Sequence, residues 1–395
     1  MNRIVLLIFC IAGLVSPGLA QGEGIHFEKP EWKKVVRKAL KENKLIFVDC
    51  YTVWCGPCKT LSKEVFPVKE VGDFYNQHFV SVKLDIQKDE AGKMLAEKYK
   101  PEGVPTLLFI DPKTEDLVHR VCGGGKADRI IEIGRQAIDP AMSLRALEKR
   151  YGQGDREVAF MEQYLKVLAR TGSSQQYKAV QDAWFDGLTD EELCNPAVWN
   201  VFKANVNDPL APVFKRYMAL EGKLYSSVPK EEADKVFRQV LAAMAQSVTG
   251  FSMHQPSPEE VAGFKEYLKS IYFEDVPAML MMLDINECRK NKDYMGMWNL
   301  VKQAYGYNVF SRNTSYLDYS CIFTLLDIHK QIQDPAVWQD VLALADQLLK
   351  KGHLMSDYKT KLLMVKANML EALGDQVAAD VVKAERKTFE ESLRD

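Results

Sequence analysis

Apolar residues follow two different patterns along the chain, and the change between them divides it. In the first third, short apolar runs at Leu45–Tyr51, Val80–Asp85 and Leu107–Ile110 alternate with more polar segments, which predicts strands separated by helices. After Asp139-Pro140 the strand pattern stops, and apolar residues recur at helical spacing, as in Glu157–Ala169. The pattern therefore predicts an α/β domain followed by an all-α domain.

The second region contains several further segments with helical periodicity. The last two, Tyr358–Leu373 and Gln376–Thr388, flank Gly374-Asp375 and resemble a tetratricopeptide-like hairpin. No fixed repeat period is evident, so the pattern favours an irregular, helical-repeat-like domain. Such a domain selects protein substrates, serves for packing alone, or mediates dimerisation. The other predicted helices are Tyr177–Trp184 and those near 210–225, 231–248, 258–273, 276–290, 315–330 and 334–350.

The N-terminus has the three parts of a secretory signal peptide. Met1–Arg3 is positive, Ile4–Val15 is apolar, and Gly18–Ala20 supplies small residues for cleavage. Because this apolar stretch is too short to span a bilayer, we expect a cleaved signal peptide rather than an uncleaved membrane anchor. The predicted organisation is a signal peptide at 1–20, an α/β domain at 21–140 and a helical domain at 141–395 that resembles a tetratricopeptide-like domain near its C-terminus. The expected location is the periplasm, and the protein is not expected to be an integral membrane protein.

Composition narrows the classes of partner. The 395 residues are 47% hydrophobic and 27% charged, with a formal net charge of −2, so there is no basic footprint for nucleic acid. The six histidines are far apart in the sequence, and Met279, Met281 and Met282 fit a buried helix better than a copper site. The sequence predicts no metal and no cofactor.

The most informative chemistry is Trp54-Cys55-Gly56-Pro57-Cys58-Lys59, directly after the first apolar run. Residues i and i+3 share one helical face, which allows the two sulfurs to bond, and a thiol at a helix N-terminus is stabilised as thiolate. Pro57 is tolerated in the first helical turn. The same spacing also occurs in half of a zinc site, but the chain has no second CxxC and no closely spaced histidine pair to complete four ligands. We therefore predict a redox-active pair.

Three other residues are expected to belong to this site. Asp49 interrupts an apolar strand, where an unpaired carboxylate is unfavourable. Lys83 alternates with Val82 and Leu84, so its side chain is placed to pair with Asp49. Pro105 enters the strand at Leu107–Ile110 and is a candidate for a cis peptide bond.

Together these motifs resemble the thioredoxin family over residues 25–138, including the late glycines Gly123–Gly125. The resemblance implies a thioredoxin-like fold, with a central mixed sheet flanked by helices. It is stronger to secreted members, in which the active-site helix ends early, here at Pro67, and a second short helix carries Val71, Phe74 and Tyr75. The sequence departs from many thioredoxins at Tyr51, where they have tryptophan.

The resemblance also implies a mechanism. Cys55, exposed at the helix start, attacks a substrate disulfide, and the buried Cys58 resolves the mixed disulfide. Asp49 accepts the Cys58 proton through water, with Lys83 tuning its charge. The expected substrate-binding residues are Trp54, Gly56, Pro57, Val104 and Pro105, with the Val104 backbone holding an extended segment.

Gly-Pro between the cysteines resembles reducing thioredoxins rather than strong oxidants, and this resemblance implies a reductase of protein disulfides. A periplasmic reductase must be recharged, so we expect a membrane electron-transfer partner. A disulfide isomerase and a non-catalytic adaptor remain alternatives. The remaining cysteines of the mature chain have no framework spacing, and we expect buried free thiols, with a Cys288–Cys321 bridge as the alternative. These cysteines are Cys50, Cys122, Cys194, Cys288 and Cys321.

Overall fold

The computed structural model describes residues 24–248, 256–306, 324–326, 328, 330–350 and 356–393. The predicted signal peptide, most of the predicted helix at 315–330, and Cys321 lie outside these residues. Two compact units divide the chain, one ending at Thr189 and the other beginning at Asp190. Each unit is described separately below.

The first unit is built on a five-stranded mixed sheet. The strand order is β1-β3-β2-β4-β5; β3 runs parallel to β1 and β2, whereas β4 runs antiparallel to β2 and β5. The predicted strands are confirmed as β2, β3 and β4, and together with the helices they form the expected thioredoxin-like arrangement. The strands are β1 (Phe27–Glu28), β2 (Leu45–Tyr51), β3 (Phe79–Asp85), β4 (Thr106–Ile110) and β5 (Leu117–Cys122).

Helices cover both faces of this sheet, and each face has its own apolar layer. One layer is aromatic: Phe47 and Phe109 of the sheet pack edge-on or tilted against Tyr75, with ring centroids 4.7 and 6.4 Å away. The other layer is aliphatic and contains Val48 and Leu108. The helices of this unit are α1 (Trp32–Glu42), α2 (Gly56–Thr60), α3 (Lys69–His78), α4 (Glu90–Tyr99), α5 (Ala127–Ile138), α6 (Leu144–Gly152), α7 (Val158–Leu168) and α8 (Ser174–Asp186).

The helix that carries the CxxC motif is short and changes form after one turn. α2 continues into a π-helical turn, Leu61–Val65, in which the Phe66 amide donates to the Leu61 carbonyl at 2.8 Å. Pro67 follows, and α3 begins two residues later. The predicted early end of the active-site helix and the second short helix are both confirmed. π-Helical turns often occur at functional sites because they re-aim side chains.

Strand β5 lies at the edge of the sheet. Its outer side is covered by residues after 140, the predicted end of the first domain. Arg145 Nε donates to the Leu117 carbonyl at 3.1 Å, and the Cys122 amide donates to the Arg170 carbonyl at 2.7 Å. Covering an edge in this way prevents its unpaired backbone groups from pairing with other chains. The compact unit thus extends past residue 140 to Thr189, and independent folding of residues 21–140 stays a prediction.

The second unit is helical in its described parts, as the periodicity predicts. The predicted helices near 231–248, 276–290 and 334–350 are confirmed within one or two residues. The helices at Pro196–Asn205 and Tyr294–Gly306 were not predicted. Five of the helices described in this unit carry proline in the first turn, where a missing N–H is tolerated. The helices are α9 (Asp190–Leu193), α10 (Pro196–Asn205), α11 (Pro212–Ala219), α12 (Glu221–Leu224), α13 (Lys230–Ser247), α14 (Pro258–Ser270), α15 (Val276–Lys290), α16 (Tyr294–Gly306), α17 (Pro335–Leu349), α18 (Ser356–Ala372) and α19 (Gln376–Glu391).

The last two helices form the predicted hairpin. Gly374, at φ +86°, makes the turn between α18 and α19, a conformation that favours glycine. Leu363 and Ala367 of α18 pack against Val382 of α19. Membership in a helical repeat stays a prediction. None of the helices in the described residues is both long and apolar enough to cross a bilayer.

Candidate active site

Cys55 and Cys58 form a disulfide at the start of α2, with their Cα atoms 5.4 Å apart. Cys55 caps the helix: its backbone is extended, and its Sγ accepts a hydrogen bond from the Cys58 amide at 3.1 Å. After reduction this amide and the positive end of the short helix would stabilise a thiolate on Cys55. The two sulfurs are bonded to each other, as a redox pair requires, and the redox role of the pair stays a prediction.

One sequence prediction about these cysteines is wrong for the disulfide form. We expected Cys55 to be exposed and Cys58 buried, but the two residues are 3% and 2% exposed. Gly56 and Pro57, which lie between the two cysteines, are exposed. The two cysteines therefore have similar accessible areas. They differ in that Cys55 Sγ accepts a hydrogen bond, whereas Cys58 lines a cavity.

Behind the disulfide-bearing helix, Asp49 and Lys83 form the predicted pair. They are register partners on β2 and β3, and Lys83 Nζ lies 3.3 Å from Asp49 Oδ2. Burial raises the pKa of the Asp49 carboxyl to about 6, and the Lys83 ammonium opposes this shift. The carboxyl thus titrates near neutral pH, which is the range in which a proton acceptor for a thiol is useful.

A serine that the sequence analysis did not single out connects this ion pair to the helix. Ser62 Oγ accepts a hydrogen bond from Lys83 Nζ and donates one to the Cys58 carbonyl at 2.9 Å. A cavity of about 300 Å³, lined by Cys58, Ser62, Lys83 and Tyr51 among others, opens beside them. The cavity borders Cys58 and Lys83 but not Asp49, so the expected water relay to the Asp49 carboxyl stays a prediction. The signal available in the sequence was the polar residue four positions after Cys58, on the same helical side.

The aromatic residue of the motif projects outwards. Trp54 is 65% exposed, and its indole Nε1 donates to Gln87 Oε1 at 3.0 Å. Gln87 lies in the turn after β3, where its amide donates to Asp85 Oδ1 at 2.9 Å. Trp54 is thus an exposed apolar surface held in one orientation, as suits a substrate-binding residue. The role of Gln87 was not apparent from the sequence, because the contact joins distant loops.

The loop before β4 supplies the other expected substrate-binding residues. The Val104–Pro105 peptide bond is cis, which confirms the candidate proposed from the sequence. The Gly123 amide donates to the Pro105 carbonyl at 2.7 Å, and Gly123 adopts φ +91°, which favours glycine. The Val104 N–H and C=O make no hydrogen bond within the described residues, so they are available to an extended peptide.

The additional cysteines in the described residues are free thiols. Cys50 and Cys194 are buried, and Cys122 and Cys288 are partly buried. Cys50 and Cys122 are both register partners of Thr106, so they are two strand spacings apart, about 10 Å. That separation exceeds the limit of about 7 Å for a disulfide. Cys321, the partner in the alternative Cys288–Cys321 bridge, lies outside the described residues.

Comparison with known proteins agrees with this geometry. The family model for a thioredoxin-like domain matches residues 32–138. Thioredoxin H-type from Fagopyrum esculentum is 31% identical over 107 residues, which cover 27% of this chain and 84% of that protein. The chain belongs to the thioredoxin family. Within this family it has the CxxC pair typical of disulfide oxidoreductases and isomerases, here closed as a disulfide.

Two other proteins are similar to part of this thioredoxin-family chain. A peptide-N(4)-(N-acetyl-beta-glucosaminyl)asparagine amidase from Caenorhabditis elegans is 26% identical over 156 residues, 38% of this chain but only 23% of the amidase. A solution structure from Bacteroides thetaiotaomicron, described as a candidate disulphide-isomerase, is 41% identical. It covers 30% of this chain and 98% of its own, with a TM-score of 0.28. The chain thus spans less than a quarter of the amidase.

Proposed function

We propose that this protein is a thiol–disulfide oxidoreductase that reduces disulfides in other proteins. The observation that carries the proposal is the Cys55–Cys58 disulfide at a helix N-terminus, with the Asp49–Lys83 pair and a cavity behind it. A binding adaptor has no need for a buried carboxyl whose pKa lies near 6.

The reaction begins from the reduced dithiol. The Cys55 thiolate attacks one sulfur of the substrate disulfide, forming a mixed disulfide and releasing the other substrate sulfur as a thiolate, which takes a proton from water. Cys58 gives its proton to Asp49 through water and attacks the Cys55 sulfur as a thiolate. The second substrate sulfur leaves as a thiolate and takes a proton from water, and Asp49 returns its proton to solvent. Two electrons have then passed from the protein to the substrate, and the Cys55–Cys58 disulfide has formed.

Substrate is held beside the disulfide by backbone and apolar contacts. In this proposal an extended segment pairs with the unoccupied Val104 N–H and C=O, and Pro105, which completes the cis peptide bond, belongs to the same binding surface. The exposed side chain of Trp54, with Gly56 and Pro57, forms the other side of the binding surface. Backbone pairing provides affinity without demanding a particular substrate sequence.

Reduction of insulin by the full chain, with dithiothreitol as electron donor, tests the activity. The proposal predicts faster reduction than with dithiothreitol alone, and loss of this acceleration in Cys55→Ser but not in Cys122→Ser. If the full chain does not accelerate insulin reduction, the proposed reductase is excluded and the non-catalytic adaptor is favoured. A dimer by sedimentation that refolds scrambled substrates, yet barely reduces insulin, would indicate an isomerase instead.

We further propose that the protein is exported to the periplasm after cleavage behind Ala20. The support is the tripartite pattern of residues 1–20 in the sequence. A periplasmic reductase needs a membrane protein that passes electrons to it, since the compartment is oxidising. Cell fractionation with N-terminal sequencing of the mature protein tests this location, and a cytoplasmic protein beginning at Met1 would exclude it.

A further inference from the structure

Ser62 contacts two parts of the site that the reaction uses separately. Through its hydroxyl it is bonded to the Cys58 carbonyl on the helix and to the Lys83 ammonium on the sheet. It is partly buried in the π-helical turn and lines the same cavity as Cys58 and Lys83. The side chain thus lies between the resolving cysteine and the ion pair.

We propose that Ser62 is a positioning residue: its hydroxyl shares the Lys83 ammonium with Asp49 and so sets how readily the Asp49 carboxyl exchanges a proton with Cys58. The inference rests on the proposed exchange reaction and adds a residue to it. Ser62 touches neither the substrate nor the reacting sulfurs, and it acts through Lys83.

The contacts of Lys83 carry the argument. Its Nζ is 3.3 Å from Asp49 Oδ2, longer than the 2.7–2.9 Å of a well-formed charge-assisted hydrogen bond. Neither Asp49 oxygen accepts a hydrogen bond with good geometry from the described residues, although both are fully buried. Lys83 Nζ also lies 5.2 Å from the Tyr51 ring and 5.4 Å from the Phe66 ring, within reach of cation–π attraction. Ser62 and these rings therefore hold the ammonium slightly away from the carboxylate.

No other charged group in the described residues competes with Lys83 for this carboxyl. Burial raises the pKa of Asp49, and Lys83 alone lowers it. The pKa values of the Cys50 and Tyr51 side chains are themselves raised by burial, so both remain neutral near pH 7. The register partner of Asp49 on β4 is the apolar Leu107. The titratable or charged neighbours are thus Lys83 from β3, Cys50 and Tyr51 from β2, and Cys58 from the α2 side. Lys59 and Lys63 also line the cavity, but neither shifts the pKa of Asp49.

Removal of the Ser62 hydroxyl has a defined direction. In Ser62→Ala, Lys83 loses its hydroxyl acceptor and turns its donors towards Asp49, which stabilises the carboxylate. The pKa of Asp49 then falls below about 6. Because Asp49 can accept the Cys58 proton only when ionised, the acid side of the pH–rate profile moves to lower pH.

The test compares full-length Ser62→Ala with Ser62→Thr, which restores a hydroxyl, and with Thr60→Ala. Thr60 is exposed, and its hydroxyl makes no hydrogen bond in the described residues, so its removal is a matched control. Two readouts are taken: the pH dependence of insulin reduction, and an infrared titration of the buried carboxyl with Asp49→Asn as the blank.

The inference predicts that both midpoints fall by about half a pH unit or more in Ser62→Ala, a fraction of the 1–3 units that an adjacent opposite charge can impose. Ser62→Thr restores the wild-type midpoint, and Thr60→Ala does not move it. An unchanged or higher midpoint in Ser62→Ala overturns the inference. If the chain reduces no disulfide, the proposed function fails, and the infrared titration still decides whether Ser62 sets the Asp49 pKa.

Discussion

Asp49 and Lys83 face each other directly across the parallel pair β2 and β3, with Nζ and Oδ2 3.3 Å apart. Asp49 has no exposed surface, whereas the Lys83 side chain keeps a quarter of its own. The carboxyl is therefore desolvated while its partner stays partly hydrated. This asymmetry explains why burial outweighs the ion pair and raises the pKa of Asp49 to about 6.

Asp49→Asn should slow disulfide reduction and flatten its pH dependence. The wild-type rate should fall as the pH drops through about 6, because protonated Asp49 cannot accept the Cys58 proton. General base assistance contributes ~10²–10⁴-fold. We expect a loss at the lower end of that range, since solvent in the cavity partly replaces the relay. Steady-state reduction of insulin from pH 5 to 8 measures both effects. An equal rate across this range would make Asp49 a structural carboxylate only.

The same substitution should make the protein more stable at neutral pH. A carboxyl whose pKa is raised on folding contributes most stability below its unfolded pKa, and this contribution is lost as the pH rises through about 6. Each pKa unit corresponds to about 1.4 kcal/mol, so Asp49→Asn should gain up to about 3 kcal/mol at pH 8 and little at pH 4. Urea unfolding at both pH values measures the difference. A loss of stability at pH 8 would mean that the ion pair with Lys83 stabilises the folded protein by more than the burial of the Asp49 carboxylate destabilises it.

His119 should impose the opposite pH dependence. Its Nδ1 accepts a hydrogen bond from the Leu144 amide at 3.1 Å, and burial lowers its pKa to about 4. Because the folded pKa lies below the unfolded value, its contribution is full above about 6.5 and lost as the pH falls through about 4.

His119→Asn keeps an acceptor near Nδ1 but removes the titration. When the pH falls from 6.5 to 4, the free energy of unfolding should drop by up to about 3 kcal/mol more in wild type than in the variant. The variant is compared with wild type at each pH, so the contribution of Asp49 cancels. Identical slopes of unfolding free energy against pH would show that His119 is not protonated on unfolding.

Truncation tests where the first unit ends. A chain of residues 21–189 keeps the helices that cover β5, whereas residues 21–140 lose Arg145, Leu144 and Arg170, which bond to β5. With about 0.5–1.5 kcal/mol for each lost hydrogen bond, the shorter chain should be less stable by about 3 kcal/mol. Thermal unfolding of both chains measures this difference. Equal stability would support the boundary at 140 that the sequence predicts.

Local patterns allowed much of the fold to be predicted. Strand β4 is apolar after Thr106 and β2 is apolar apart from Asp49, because both faces of each strand are buried. The CxxC motif marks a helix start through its proline and its spacing. The pairing of Asp49 with Lys83 was also predictable, because a carboxylate in a buried strand needs a cation on a neighbouring strand. These inferences depend on neighbours along the chain or on simple burial rules.

The remainder depends on contacts between segments that are distant in sequence. Gln87 holds Trp54 across 33 residues, and Arg170 covers the β5 edge from beyond the predicted boundary. Cys55 is buried although it lies at a helix start, which the sequence did not indicate. Ser62 contacts Lys83 from a π-helical turn, and no periodicity in the sequence predicts such a turn. Side-chain and backbone contacts of this kind have no local pattern.

The measurement that tests the exchange mechanism most directly is the trapping of mixed disulfides with the full chain. Cys58→Ser removes the resolving thiol, so Cys55 should remain joined to a substrate protein, and mass spectrometry of the trapped species should place the bond at Cys55. Cys55→Ser, the matched control, should trap nothing at this site and should reduce no insulin. Mixed disulfides formed through Cys122 instead, or near-normal activity of Cys55→Ser, would contradict the account.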